Sequence, residues 1–181
     1  MIAETTRALI RTFRTAEPNT HLAQRSIVEL ETLPAVVLTG PLLQEVAKRQ
    51  RDAERITSID IEEGKAVREK PPRWYNMRFN VAFTAVSNID LLAVMEKCSR
   101  LPQATPLLHA EGAERVREYS WRWSAFPSIN YAPNISEVCE ARGELTVDDV
   151  EVYSNIRELV PLIVTVRLDL PNETVIVRKE D

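Results

Sequence analysis

The chain has 181 residues, of which 44% are apolar and 28% charged, with a formal net charge of −4. That length fits one domain with an extended arm, and the composition is that of a globular protein with a core of its own. The acidic balance disfavours a general nucleic-acid coat, no apolar stretch approaches the ~20 residues of a membrane helix, and four glycines are too few for a phosphate-cradling loop.

In chain order, residues 2–16 read as an amphipathic helix. Ile2, Leu9, Ile10 and Phe13 share one face, and Arg7, Arg11 and Arg14 share another. The start, MIAETTRALIRTF, has no uninterrupted apolar core of the signal-peptide kind, which gives a cytoplasmic site of synthesis as the expectation. Glu17-Pro18-Asn19 ends the helix, because the residue before proline disfavours the helical region. SIVEL (26–30) and PAVVLTG (34–40) follow as two short strands. Residues 41–55 are rich in helix formers and charges, and ITSIDI (56–61) reads as a strand with a turn at Glu63-Gly64. Residues 41–72 are thus expected to form a protruding, charged arm or hairpin.

RWYNMRFNVAF (73–83) alternates strictly, with Tyr75, Met77, Phe79, Val81 and Phe83 on one face. Trp74 and Arg78 stand on the other face, a pairing typical of protein interfaces. The strand runs to about Ala85. Ser87-Asn88-Ile89-Asp90 then signals a helix start. The helix is expected to run to about Arg100 with Leu91, Leu92, Met95 and Cys98 as its buried stripe, stopped by Pro102 and Pro106. Residues 116–125 read as a strand with Tyr119, Trp121 and Trp123 on its core side. Residues 130–139 look irregular or briefly helical. Leu145–Val147 and Val150–Val152 make a strand bent at Asp148-Asp149, and LIVTVRLDL is a second long alternating strand closing the core. TVIVRKED is a further strand or a loose end. Long two-faced strands with few helices predict an α+β fold: a mainly antiparallel sheet with helices packed on one face, plus the charged arm, in a single domain over 1–181.

Several groups invite a chemical reading. His21 and His109 lack ligand-spaced neighbours, and Cys98 and Cys139, 41 positions apart, match no zinc or redox spacing and are expected free and buried. Asp149 and Glu151 on one strand face suit a hard cation, although a solvated strand end is the ordinary reading. Asp52 with Glu63-Gly64-Lys65 outlines a small metal-dependent nuclease, in which carboxylates hold the metal and the lysine steers water. Gly64 and the helical character around Asp52 fit that outline badly, and Glu-Gly-Lys reads better as a turn. Arg7, Arg11 and Arg14 suit phosphate contacts in a nucleic-acid-binding module, while Glu4 one turn before Arg7 suits a solvated helix face. No cofactor is expected.

The stretch RWYNMRFNVAFTAVS followed by NIDLLAVMEKCSRL and PQATPLL, with an early helix and a late long strand, resembles the tail-terminator proteins that cap the tail tubes of bacteriophages and contractile injection machines. Tyr75, Phe79 and Phe83 match that family's aromatic strand. Ser87, Asn88 and Asp90 match its turn, and Leu91, Leu92 and Met95 its helix. GELTVDDVEV with LVPLIVTVRLDL is similar to its closing strand pair. The resemblance spans about half the chain. It implies a non-enzymatic structural protein of the virion tail or neck, assembled in the host cytoplasm as a homo-oligomeric, six-fold ring. The ring would bind tail-tube protein on one side and connector, neck or sheath proteins on the other, touching nucleic acid only as it passes through the lumen. Head–tail connector or baseplate component is the alternative within the same particle. The residues expected at its interfaces are Trp74, Arg78, Arg7, Arg11, Arg14, Glu63 and Lys65.

Overall fold

The computed structural model describes residues 1–22, 32–50, 54–60, 65–112, 116–129, 138–153, 157–161, 165–170 and 173–178. The fold is α+β. Its elements are α1 (Ile2–Ala16), β1 (Thr20–Leu22), β2 (Ala35–Glu45), β3 (Arg55–Asp60), β4 (Lys65–Glu69), β5 (Arg73–Ala85), α2 (Asn88–Ser99), α3 (Leu101–Ala104), β6 (Leu107–Glu111), β7 (Val116–Ile129), β8 (Cys139–Val152), β9 (Arg157–Pro161), β10 (Thr165–Leu170) and β11 (Glu173–Arg178). They fall into two compact units: Met1–Arg49 with Trp74–Val152, and Gln50–Arg73 with Tyr153–Asp181.

The first unit is a six-stranded sheet in the order β1-β2-β5-β8-β7-β6. Its β2–β5, β6–β7 and β7–β8 pairs are antiparallel, and the short β1 lies parallel to β2 at Val36–Leu38. The alternation in β5 is realised as expected: Met77, Phe79, Val81 and Phe83 are buried, while Arg78 and Asn80 face outward. Tyr119, Trp121 and Trp123 of β7 and Leu145, Val147 and Val150 of β8 complete the sheet's contribution to the core. Leu9 and Phe13 of α1 and Leu91, Val94 and Cys98 of α2 cover it. The Phe13 ring meets Trp121 at 5.9 Å and Trp123 at 6.1 Å, the second edge-on, and Phe83 lies 6.2 Å from Trp123.

Three threonines of α1 turn their hydroxyls back to carbonyls one turn earlier, Thr5 to Met1, Thr6 to Ile2 and Thr12 to Ala8, so Thr5 and Thr6 are buried without stranding a donor. The Ser87 hydroxyl accepts from the Asp90 amide at 3.1 Å and donates to the Asp90 carboxylate at 2.6 Å, which sets the first turn of α2. The buried stripe of α2 is rotated from the expected one. Leu92 is exposed and Met95 half-buried, while Val94 is buried instead, because the helix turns Leu91, Val94 and Cys98 toward the sheet. Cys98 is buried as expected, and Cys139 is half-buried.

β2 runs past its expected end at Gly40. A bulge between Thr39 and Leu42 carries the strand on, and Leu42–Glu45 pair with Arg78–Tyr75 of β5. Gly40 makes this possible: its φ is +134°, and a Cβ there would lie 2.9 Å from the Arg78 carbonyl oxygen. Residues 41–45, placed in the arm by their composition, therefore form strand, and only Ala47–Arg49 make a short 3-10 turn. β8 bends where expected, at Asp149, whose φ is +57°. The kink moves the next buried side chain after Val147 to Val150, three positions on instead of two. β7 continues to Ile129, four residues past its expected end.

In the second unit β3 and β4 pair antiparallel, Asp60 opposite Lys65, while the turn expected at Glu63-Gly64 lies outside the described residues. β9 joins β4 as a third strand, and β10 and β11 form an antiparallel hairpin of their own. The alternating run LIVTVRLDL, expected to close the core, thus contributes β10 to that hairpin and is not a strand of the six-stranded sheet. SIVEL and most of 130–139 lie outside the described residues.

Candidate interaction surfaces

The basic side of α1 forms a groove against the edge strand β6. Its walls are Glu4, Arg7, Ile10, Arg11, Arg14 and Glu111. Arg7 contacts the half-buried Glu4 at 3.7 Å, and Arg11 contacts Glu111 at 3.9 Å between exposed side chains. Such long, solvated pairs hold a guanidinium weakly. Arg14 is fixed differently, its Nε donating to the Thr20 carbonyl at 3.2 Å.

Trp74 lies beneath a cation. The Arg49 guanidinium sits 5.1 Å from its ring centre and also pairs with Asp149 at 3.1 Å. The Asp149 amide donates to Asn76 Oδ1 at 3.1 Å, and the Val46 amide donates to the Trp74 carbonyl at 2.9 Å. Trp74 is thus a half-buried anchor at the start of β5, and Arg78, two pleat repeats further along the same face, is exposed.

The carboxylates near the bend of β8 are each matched by an arginine: Asp148 by Arg122, Asp149 by Arg49 and Glu151 by Arg117 at 3.3 Å. Burial holds the Asp148 carboxyl above its ordinary range, against the pull of Arg122. The positive φ at Asp149 breaks the alternation that would have set Asp149 and Glu151 side by side, so they serve as ion-pair partners for two different arginines. Among the described residues, no group of three acidic, histidine or cysteine side chains is arranged to hold a metal. His21 bonds Asn19 at 2.6 Å and His109 contacts Glu118 at 3.2 Å, both at the surface. Of the nuclease outline, Lys65 opens β4, while Asp52 and Glu63 lie outside the described residues.

Sequence reasoning did not find Arg49 or Asp149 as partners of Trp74, since they lie 25 and 75 positions away with no pattern linking them. Nor did it find the apolar side chains the first unit leaves on its surface. Leu42 and Phe126, on the far halves of β2 and β7, are each 68% exposed, and Ile89 is 80% exposed.

The fold is α+β, with a groove lined by arginines beside α1 and several exposed apolar side chains on the first unit. No protein-family model matches the chain, and no curated protein matches it. Among solved structures, the chain is similar to the sheath/tube terminator of an extracellular contractile injection system, PVC, determined by cryo-electron microscopy in the extended state. The likeness has 14% identity and a TM-score of 0.47, and it covers 97% of this chain and 64% of that one. The chain therefore spans less than two thirds of that protein's length. No residue's role is carried across at this identity.

Proposed function

We propose that this chain is a structural component of a phage-like tail, a terminator that caps the tail tube as a ring and offers its other face to neck or sheath proteins. The observation that carries the reading is the strand–helix unit on which the sequence resemblance rests. β5 passes through Val86-Ser87 directly into α2, with Ser87 as the cap; of the strand and helix side chains the resemblance singles out, Phe79, Phe83 and Leu91 are buried, Tyr75 and Met95 half-buried and Leu92 exposed. The exposed apolar residues Leu42 and Phe126 on strands and Ile89 in the first turn of α2 add support, because apolar side chains left at the surface suit burial against other subunits. Trp74 with Arg49, and Arg78 beyond it, are proposed as interface residues on the outer face of β5, and Lys65 and Glu63 on the second unit.

The test is co-sedimentation of the purified chain with assembled tail tubes from the same genome. Saturable binding, with end-capped tubes in negative stain, is the expected result. Failure to bind tubes, or Mg²⁺-dependent nucleic-acid cleavage that vanishes in a folded Lys65→Ala variant, would overturn the reading.

A further inference from the structure

We infer that the α1–β6 groove is a binding site for the phosphate backbone of duplex nucleic acid. Three guanidinium groups line it against two carboxylates, Glu4 and Glu111, with Ile10 as its one aliphatic wall. Glu4 is already engaged by the Met1 amino group at 2.8 Å, closer than its 3.7 Å contact with Arg7. Glu111 reaches Arg11 only at 3.9 Å, and Arg7 and Arg11 are 71% and 59% exposed. Arg14, held by its Nε on the Thr20 carbonyl, makes no ion pair with any described residue. The three arginines fall within about 60° of arc on α1. Leu9 and Phe13, on the opposite side of the helix, are fully buried and anchor it. The basic face is thus positioned and under-neutralised, and ion pairs this exposed exchange readily for better ones.

The occupant follows from what lines the groove. The cores of protein–protein interfaces are depleted in charge and built on apolar and aromatic side chains, whereas five of the six lining residues here are charged. Nucleic-acid interfaces are polar and positively charged. No aromatic side chain lines the groove, so the stacking that holds unpaired bases is missing. A duplex keeps its bases inside and presents its phosphates, which is the form such a groove can hold. Arg7, Arg11 and Arg14 span about 10 Å along the helix axis, and a duplex strand advances about 3.4 Å per phosphate, so the row lies alongside about three phosphates of one strand. Each guanidinium fork matches a phosphate's oxygens in pairs. The net charge of −4 on the chain as a whole keeps the contact local and weak. The contact reads no sequence, and it requires neither a tail tube nor a ring, so it stands apart from the proposed capping role.

The experiment is fluorescence anisotropy of a labelled DNA duplex titrated with the full chain, in EDTA and without tail tubes, so that a failure to cap tubes and a failure of this contact are read separately. Four proteins are compared, each checked for folding by circular dichroism. They are wild type, Arg7→Glu/Arg11→Glu, Glu111→Gln, and the charge-matched Arg100→Glu/Arg142→Glu, whose arginines are exposed outside the groove. Three phosphate contacts give wild type a slope of about −2.7 in log affinity against log salt, a fall of about 40-fold between about 50 and about 200 mM. The groove reversal is expected to weaken binding about tenfold or more at the lower salt and to flatten the slope to about −1. The charge-matched reversal is expected to stay within about threefold of wild type, because its charges lie away from the contact and are screened. Glu111→Gln, which frees Arg11, is expected to bind about two- to fivefold tighter. No saturable binding by wild type at about 50 mM salt, equal losses from the two reversals, or an unchanged slope in the groove reversal would overturn the inference. So would saturable binding of poly-glutamate but not of duplex, lost in the groove reversal, which would make the occupant an acidic protein segment.

Discussion

Phe13→Ala should uncouple α1 from the sheet. Phe13 is fully buried, and its ring is the one aromatic of α1 that meets both Trp121 and Trp123, at 5.9 and 6.1 Å. Truncating a buried phenylalanine costs about 3–5 kcal/mol, and two ring contacts in tilted and edge-on geometry place this site at about 4 or above. For a domain stable by roughly 5–15 kcal/mol that is a large share. All three tryptophans lie in the first unit, so intrinsic fluorescence follows that unit's unfolding alone. With a urea slope of about 2 kcal/mol per molar, the fluorescence midpoint should fall by about 2 M. Phe13→Leu, which keeps apolar bulk and loses the ring contacts, should cost about 1–2 kcal/mol. A midpoint shift for the alanine variant below about 0.5 M would refute the packing of α1 through Phe13 onto the tryptophan face.

Two further outcomes follow from local chemistry. Ser87→Ala should cost about 1 kcal/mol by removing the acceptor for the Asp90 amide, whereas Ser87→Gly should cost only a few tenths, measured by the same urea midpoint; equal losses would place the cap elsewhere. Burial raises the Cys98 thiol from its ordinary 9.0 to about 12, so the thiolate forms in the unfolded chain first. Stability present below pH 9 should therefore decline as pH rises from 9 toward 12. A Cys98→Ala variant that loses stability just as steeply between about pH 9 and about pH 12 would refute that assignment.

The period-two pattern of residues 73–83 and the cap signal at Ser87 were legible because they are local: alternation dictates which face of a strand is buried, and a hydroxyl one residue before a helix meets its first free amides. The buried stripe of α2 was less legible, because its apolar residues nearly encircle the helix. Leu92 and Met95 are as apolar as Val94, and the sheet's position chose among them. Residues 41–45 carry helix formers yet form strand, because pairing with Tyr75–Arg78 outweighs preferences worth a few tenths of a kcal/mol each. Of the interface residues, Arg7, Arg11 and Arg14 could be set on one helix face from their spacing alone. The groove they share with Glu111, 97 positions beyond Arg14, needed the chain to bring β6 alongside α1.

By itself, then, the sequence determined which segments are two-faced, where α2 begins and where β8 bends, since each depends on interactions within a few residues. Tertiary structure alone decided that β2 continues past Gly40, that LIVTVRLDL feeds a separate hairpin, and that Arg49 and Asp149 meet at Trp74. Those outcomes rest on pairings between distant strands, whose free energy comes from contacts that no local pattern records.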